Sequence, residues 1–202
     1  METKTIAGIS LVIISSLLIV FHLLSPKEEF FNVRKTIHDH LHLFSACKFQ
    51  YVVFYVFPLG FAIGLAMVYD AGPSFYSELC VMLGIILSML FAILSILSVQ
   101  NYSDVCDEDQ KRKGKEALRK AINAIVFEVI LSLFLMLYGL VIVVMYQSDN
   151  VTVPFDVIII KRVLSGIAYY VFAVILLNLL LVVKQMRKLI EFNLEVKRGG
   201  QE

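Results

Sequence analysis

The stretch AINAIVFEVILSLFLMLYG, residues 121–139, decides the fold. It is almost wholly apolar and overlaps a run, 123–146, that exceeds the ~20 residues a helix needs to cross a ~30 Å hydrocarbon core. A helix satisfies its backbone hydrogen bonds within the segment, so it is the expected form in lipid. One carboxylate, Glu128, interrupts the run. A carboxylate in lipid is expensive and is normally turned toward protein or a wet cavity. Ala124, Glu128, Ser132 and Gly139 share one broad stripe, with Phe127, Ile130, Phe134 and Val141 largely elsewhere. The small, polar stripe is therefore expected to face other helices.

Similar apolar runs recur on either side, and spans are expected at 6–24, 51–69, 79–99, 123–146 and 163–183. Of the 202 residues, 59% are hydrophobic and only 17% charged, with a mean hydropathy of +0.81. A water-soluble domain of this size needs a larger polar surface. No internal repeat or separate soluble domain is visible. Residues 1–202 read as one domain of an all-α integral membrane protein: a compact bundle of five transmembrane helices plus one amphipathic interfacial helix. The first run has a single Lys before it and no small-x-small cleavage site, so a retained span is expected rather than a signal peptide.

Charge sets the orientation. Segments 25–50, 100–122 and the tail from 184 carry 15 Lys and Arg, whereas the N-terminus, 70–78 and 147–162 carry three. The positive-inside tendency then puts the N-terminus outside and the C-terminus in the cytoplasm, in a plasma or inner membrane. The net charge of +1 by itself says nothing about partners, and no nucleic-acid partner is expected.

Segment 26–45 is patterned as a helix. Ser25-Pro26-Lys27-Glu28 supplies an N-cap, a first-turn Pro and a capping-box Glu. Phe30, Val33, Ile37, Leu41 and Phe44 then recur on one face. This amphipathic helix either lies in the cytoplasmic interface, touching anionic headgroups, or seals the lower face of the bundle. The basic 111–120 segment and the tail from Lys184 are candidate docking surfaces for a soluble partner or anionic lipid. Lys113 to Lys120 is expected to continue the fourth span as helix. Asn150-Val151-Thr152 matches a glycosylation acceptor on the expected outer side.

Depth along each span suggests a shared inner-leaflet polar layer of Glu128, Asn178, Ser95, Tyr55 and His22, with Ser132 one turn further on. Three roles compete for Glu128: a hydrogen-bonding tie between helices, a protonatable or cation-binding transport group, and a general acid or base. Gly60, Gly64, Gly84, Ser88, Gly139 and Gly166 offer close helix packing. His38 and His42 stand one turn apart and are weak metal candidates, against a bland reading as interfacial polar side chains. Cys47, Cys80 and Cys106 form neither a CxxC pair nor a disulfide framework. P-loop, Rossmann, nucleophile-elbow and haem motifs are absent, so neither enzymatic activity nor a cofactor is expected. The leading expectation is a non-enzymatic multi-pass subunit that assembles in the bilayer with itself or a partner protein. A homo-oligomeric cation channel and a small proton-coupled transporter using Glu128 are the alternatives.

Overall fold

A π-helical turn, Val52–Val56, runs into α1, Phe57–Val68. Three longer helices follow: α2, Pro73–Ser98, α3, Glu108–Gln147, and α4, Val157–Gly199. These elements come from a computed structural model that describes residues 52–69, 71–100, 108–147 and 157–199, plus isolated positions 10, 11, 14, 15, 37 and 49. Most of the expected 6–24 span and 26–45 amphipathic helix, with His22, His38, His42, Cys47, Cys106 and Asn150, lies outside the described residues.

Among the described residues every element is helical, and α2, α3 and α4 are long and apolar enough to cross a membrane. That is consistent with a membrane location. Five spans are not supported. The expected second span appears as the shorter apolar stretch Val52–Val68, broken into a π turn and a 12-residue helix. The break has a local cause in Pro58. Its ring lacks an N–H and clashes with the carbonyl four residues earlier, and widening the preceding turn to π geometry relieves both problems.

The expected spans at 79–99, 123–146 and 163–183 are embedded in longer helices. Pro73 occupies the first turn of α2, where a missing N–H costs nothing, so that helix starts six residues before the expected boundary. α3 begins with Glu108 and Asp109, whose charges suit the positive end of the helix dipole. Its polar turns carry the ion pairs Lys111–Glu108 at 3.2 Å, Arg112–Asp109 at 3.4 Å and Lys120–Glu116 at 2.6 Å. Lys120 donates a hydrogen bond to Glu116 and, with its charge, holds that carboxyl below the usual carboxylate range. On α4, Arg187 pairs with Glu191 at 2.8 Å, which holds the guanidinium more firmly in its charged form. Such exposed one-turn pairs add only modest local support to their helices.

At ~1.5 Å per residue, the 40 residues of α3 extend about 60 Å, twice the hydrocarbon thickness. The polar start of α3 and the polar end of α4 therefore project together from one end of the bundle. Ala117 and Leu118 of α3 and Met186, Leu189 and Phe192 of α4 pack into the same apolar cluster there.

The helices neighbour one another in the order α2, α3, α4, α1. Two apolar clusters form their core. The first joins Ala62 and Ala66 of α1, Tyr76, Leu79 and Leu83 of α2, Leu135 and Ile142 of α3, and Ala168, Tyr169 and Ile175 of α4. The second joins Leu87, Leu90 and Leu97 with Ala121, Ala124, Ile125, Val129, Val182 and Leu189. Spacings of three and four residues give each helix one inward face.

Hydrogen bonds lock the end where α1 turns into α2. The Ala71 N–H donates to Ser165 Oγ at 3.1 Å, and that hydroxyl donates to the Lys161 carbonyl at 2.8 Å. Tyr138 donates to the Leu164 carbonyl at 2.9 Å. Edge-on rings, Phe75 against Tyr76 and Tyr169, and Tyr76 against Tyr138, fill the same end.

Candidate functional site

The inward seam of α3 runs through Ala121, Ala124, Ile125, Glu128, Ser132, Leu135, Gly139 and Ile142, all buried. Glu128 and Ser132 are both 0% exposed and Asn178 of α4 is 1% exposed. On the α4 seam Asn178 stands between Ile175 of the first cluster and Val182 of the second. On α3, Glu128 and Ser132 stand between Ile125 of the second cluster and Leu135 of the first. All three therefore occupy the junction of the two apolar clusters.

Helix register supports a common level. Counting along antiparallel α3 and α4 from the Tyr138–Leu164 hydrogen bond sets Glu128 opposite Val174. Counting instead through α2, from Cys80–Met136 and then Asn193–Gln100, sets it opposite Leu181. Asn178 lies midway between these two limits. Gly166 approaches Ala66, and counting back from that contact along antiparallel α1 sets Tyr55 opposite Leu177. The Tyr55 side chain is half-buried with its hydroxyl oxygen covered.

Among the described residues, both Glu128 carboxyl oxygens, Ser132 Oγ and both polar atoms of the Asn178 amide make no hydrogen bond to protein. Buried polar groups in native proteins generally have partners in protein, water or ions. This concentration of five such atoms in three side chains marks the layer as the candidate site. It has no nucleophile–base pair, and among the described residues no three His, Cys, Asp or Glu side chains gather as a metal site. Its chemistry is that of oxygen donors around one carboxyl.

The remaining expected residues separate. Ser95 is exposed on α2 and stays out of the layer. Register from Cys80–Met136 sets it opposite Ala121, seven residues or about 10 Å along the axis from Glu128. Phe127 is buried at 8% exposure, so the inward face of α3 is broader than the small-polar stripe. Gly139 is buried, and a Cβ there would meet Cys80 Sγ at 3.0 Å. Gly166 faces α1, where a Cβ would meet Ala66 Cβ at 3.6 Å. By contrast, Gly60 and Gly64 are exposed with open space around them, and Ala62 and Ala66 on the opposite side of α1 make the internal contact. Gly84 also has open space, and exposed Ser88 donates back to the Gly84 carbonyl at 2.9 Å. Sequence reading missed Ser165, whose role depends on a partner 94 residues away and leaves no local pattern.

The described residues define an all-helical architecture with three potential membrane-crossing helices and a buried polar layer. No known family model, curated protein or solved structure matches this chain.

Proposed function

We propose that this chain is a non-enzymatic multi-pass membrane subunit that assembles with copies of itself or with a partner protein. The observation that carries this reading is the exposure of Gly60 and Gly64 on α1 and of Ser88, one turn from half-buried Gly84, on α2, with no described residue filling the space beside the three glycines. Apolar exposed surface alone is ordinary in lipid. Small residues one turn apart also let a second helix approach closely, which favours assembly. The fuller topology belongs to the same proposal: spans at 6–24 and 51–69 completing five crossings, N-terminus outside, C-terminus cytoplasmic, in a plasma or inner membrane. The amphipathic segment 26–45 and the basic helix ends then meet anionic lipid at the cytoplasmic face.

The burial of Glu128 and Ser132 against the chain's own helices weighs against a channel ring lined by copies of that stripe. The unpartnered carboxyl favours a small proton-coupled transporter as the second reading. The test is subunit counting by single-molecule photobleaching in lipid nanodiscs, together with recovery of any tightly held partner. Gly64→Leu and Ser88→Leu are expected to reduce assembly while leaving the unfolding transition intact. A solitary chain, or an assembly indifferent to both substitutions, refutes the proposal.

A further inference from the structure

Among the described residues, Glu128 is the polar layer's only carboxyl and no basic side chain lies in the layer. The apolar parts of the helices, 52–68, 73–98, 121–147 and 163–183, contain no Lys, Arg or His. Ser132 and Asn178 are neutral, and the seam residues flanking the layer are apolar: Leu87 and Leu90 on α2, Ile175 and Val182 on α4. Because removing an ion from water is costly, a buried carboxyl either keeps its proton or is compensated in place by a cation.

The donor set narrows what supplies that compensation. Glu128 Oε1 and Oε2, Ser132 Oγ and Asn178 Oδ1 are all oxygens, all buried, and none has a hydrogen-bond partner among the described residues. Glu128 and Ser132 are one turn apart on the same seam, and their Cβ atoms are therefore about 6 Å apart. Asn178 is buried on α4 midway between the two levels that the interhelical hydrogen bonds set for Glu128. Oxygen-only donors suit a hard cation, and the lack of imidazole or thiolate at the layer among the described residues disfavours zinc or copper. A single carboxylate matches one positive charge, whereas high-affinity divalent sites draw on several carboxylates.

We propose that Glu128, Ser132 and Asn178 form a buried binding site for one monovalent alkali cation of the sodium class. Glu128 supplies the neutralising charge, and Ser132 and Asn178 supply oxygen dipoles. The ion ties α3 to α4 at the junction of the two apolar clusters, replacing the absent direct hydrogen bonds. This proposal does not depend on assembly with other chains.

The test uses the full chain in nanodiscs, exchanged into choline chloride and titrated with sodium chloride at constant ionic strength. Radioactive sodium is expected to bind saturably, at one ion per chain, and the thermal unfolding midpoint rises over the same concentration range. Binding weakens at least tenfold in Ser132→Ala and Asn178→Leu and disappears in Glu128→Gln. Each variant's fold is checked by its unfolding transition in choline. If Glu128→Gln does not fold, the two milder variants decide the matter. Absence of saturable sodium binding to the wild type, as expected if a proton alone neutralises Glu128, overturns the proposal. Sodium binding unchanged in both Ser132→Ala and Asn178→Leu overturns it as well.

Discussion

Gly139 provides a graded test of how α2 and α3 pack. A Cβ added there lies 3.0 Å from Cys80 Sγ and 3.7 Å from the Tyr76 carbonyl oxygen, whereas Gly60 has nothing within 4 Å. Gly139→Ala gains up to ~1 kcal/mol of helix propensity but must push the sulfur aside. Those effects nearly cancel. Gly139→Leu adds three further heavy atoms in the same direction and is expected to cost about 1–3 kcal/mol, the usual range for overpacking. A central loss of ~2 kcal/mol lowers the folded-to-unfolded ratio about thirtyfold. Gly60→Leu, pointing into open space, serves as the control and should be neutral or stabilising by up to ~1 kcal/mol through helix propensity. The assay is reversible unfolding in mixed micelles, with Cys80→Ala completing a double-mutant cycle. Removing Sγ should recover about 0.5 kcal/mol or more of the Gly139→Leu loss. Equal effects at positions 60 and 139, or no coupling to position 80, would refute the placement of α2 against α3.

Three further outcomes follow from the geometry. Tyr138→Phe removes the bond to the Leu164 carbonyl and should cost about 0.5–1.5 kcal/mol in the same assay. Leu189→Ala, at a 1% exposed position on the projecting α3–α4 pair, should cost about 2–5 kcal/mol. Ile190→Ala, at a 54% exposed neighbour, should cost well under that range, and similar losses would show that the helix ends do not pack. The Glu116 carboxyl is held low by Lys120, so its support for the polar start of α3 is present above the ordinary carboxylate range. It fades as pH falls through the depressed folded-state value. Helicity measured by circular dichroism should show an acid-dependent component that Glu116→Gln removes; an unchanged acid profile contradicts this role.

The inward direction of Glu128 was legible because a carboxylate, a hydroxyl and small residues shared one stripe of an otherwise apolar helix. Span direction and rise per residue set Asn178 near the depth of Glu128, and the interhelical register brackets that position between Val174 and Leu181. Ser95 shows the limit of that reasoning. Its estimated depth depended on the placed span boundary, and depth carries no information about rotation on a helix apolar all round. The glycines show the same limit: Gly60/Gly64 and Ala62/Ala66 have equal spacing, yet only the alanine pair meets α4. Helix length was underestimated because hydropathy changes at the polar ends, whereas backbone hydrogen bonding continues. The pairs Glu116–Lys120 and Arg187–Glu191 mark those extensions.

The central claim is that Glu128 faces its own chain's α4 at the level of Asn178. Cysteines placed at 128 and 178 in a background lacking Cys47, Cys80 and Cys106 test it directly in native membranes. A short bifunctional thiol reagent should join the two positions within one chain, while outward-facing controls at 133 and 180 remain unjoined. A 128-to-128 crosslink between copies, with no 128-to-178 crosslink within a chain, would contradict the account.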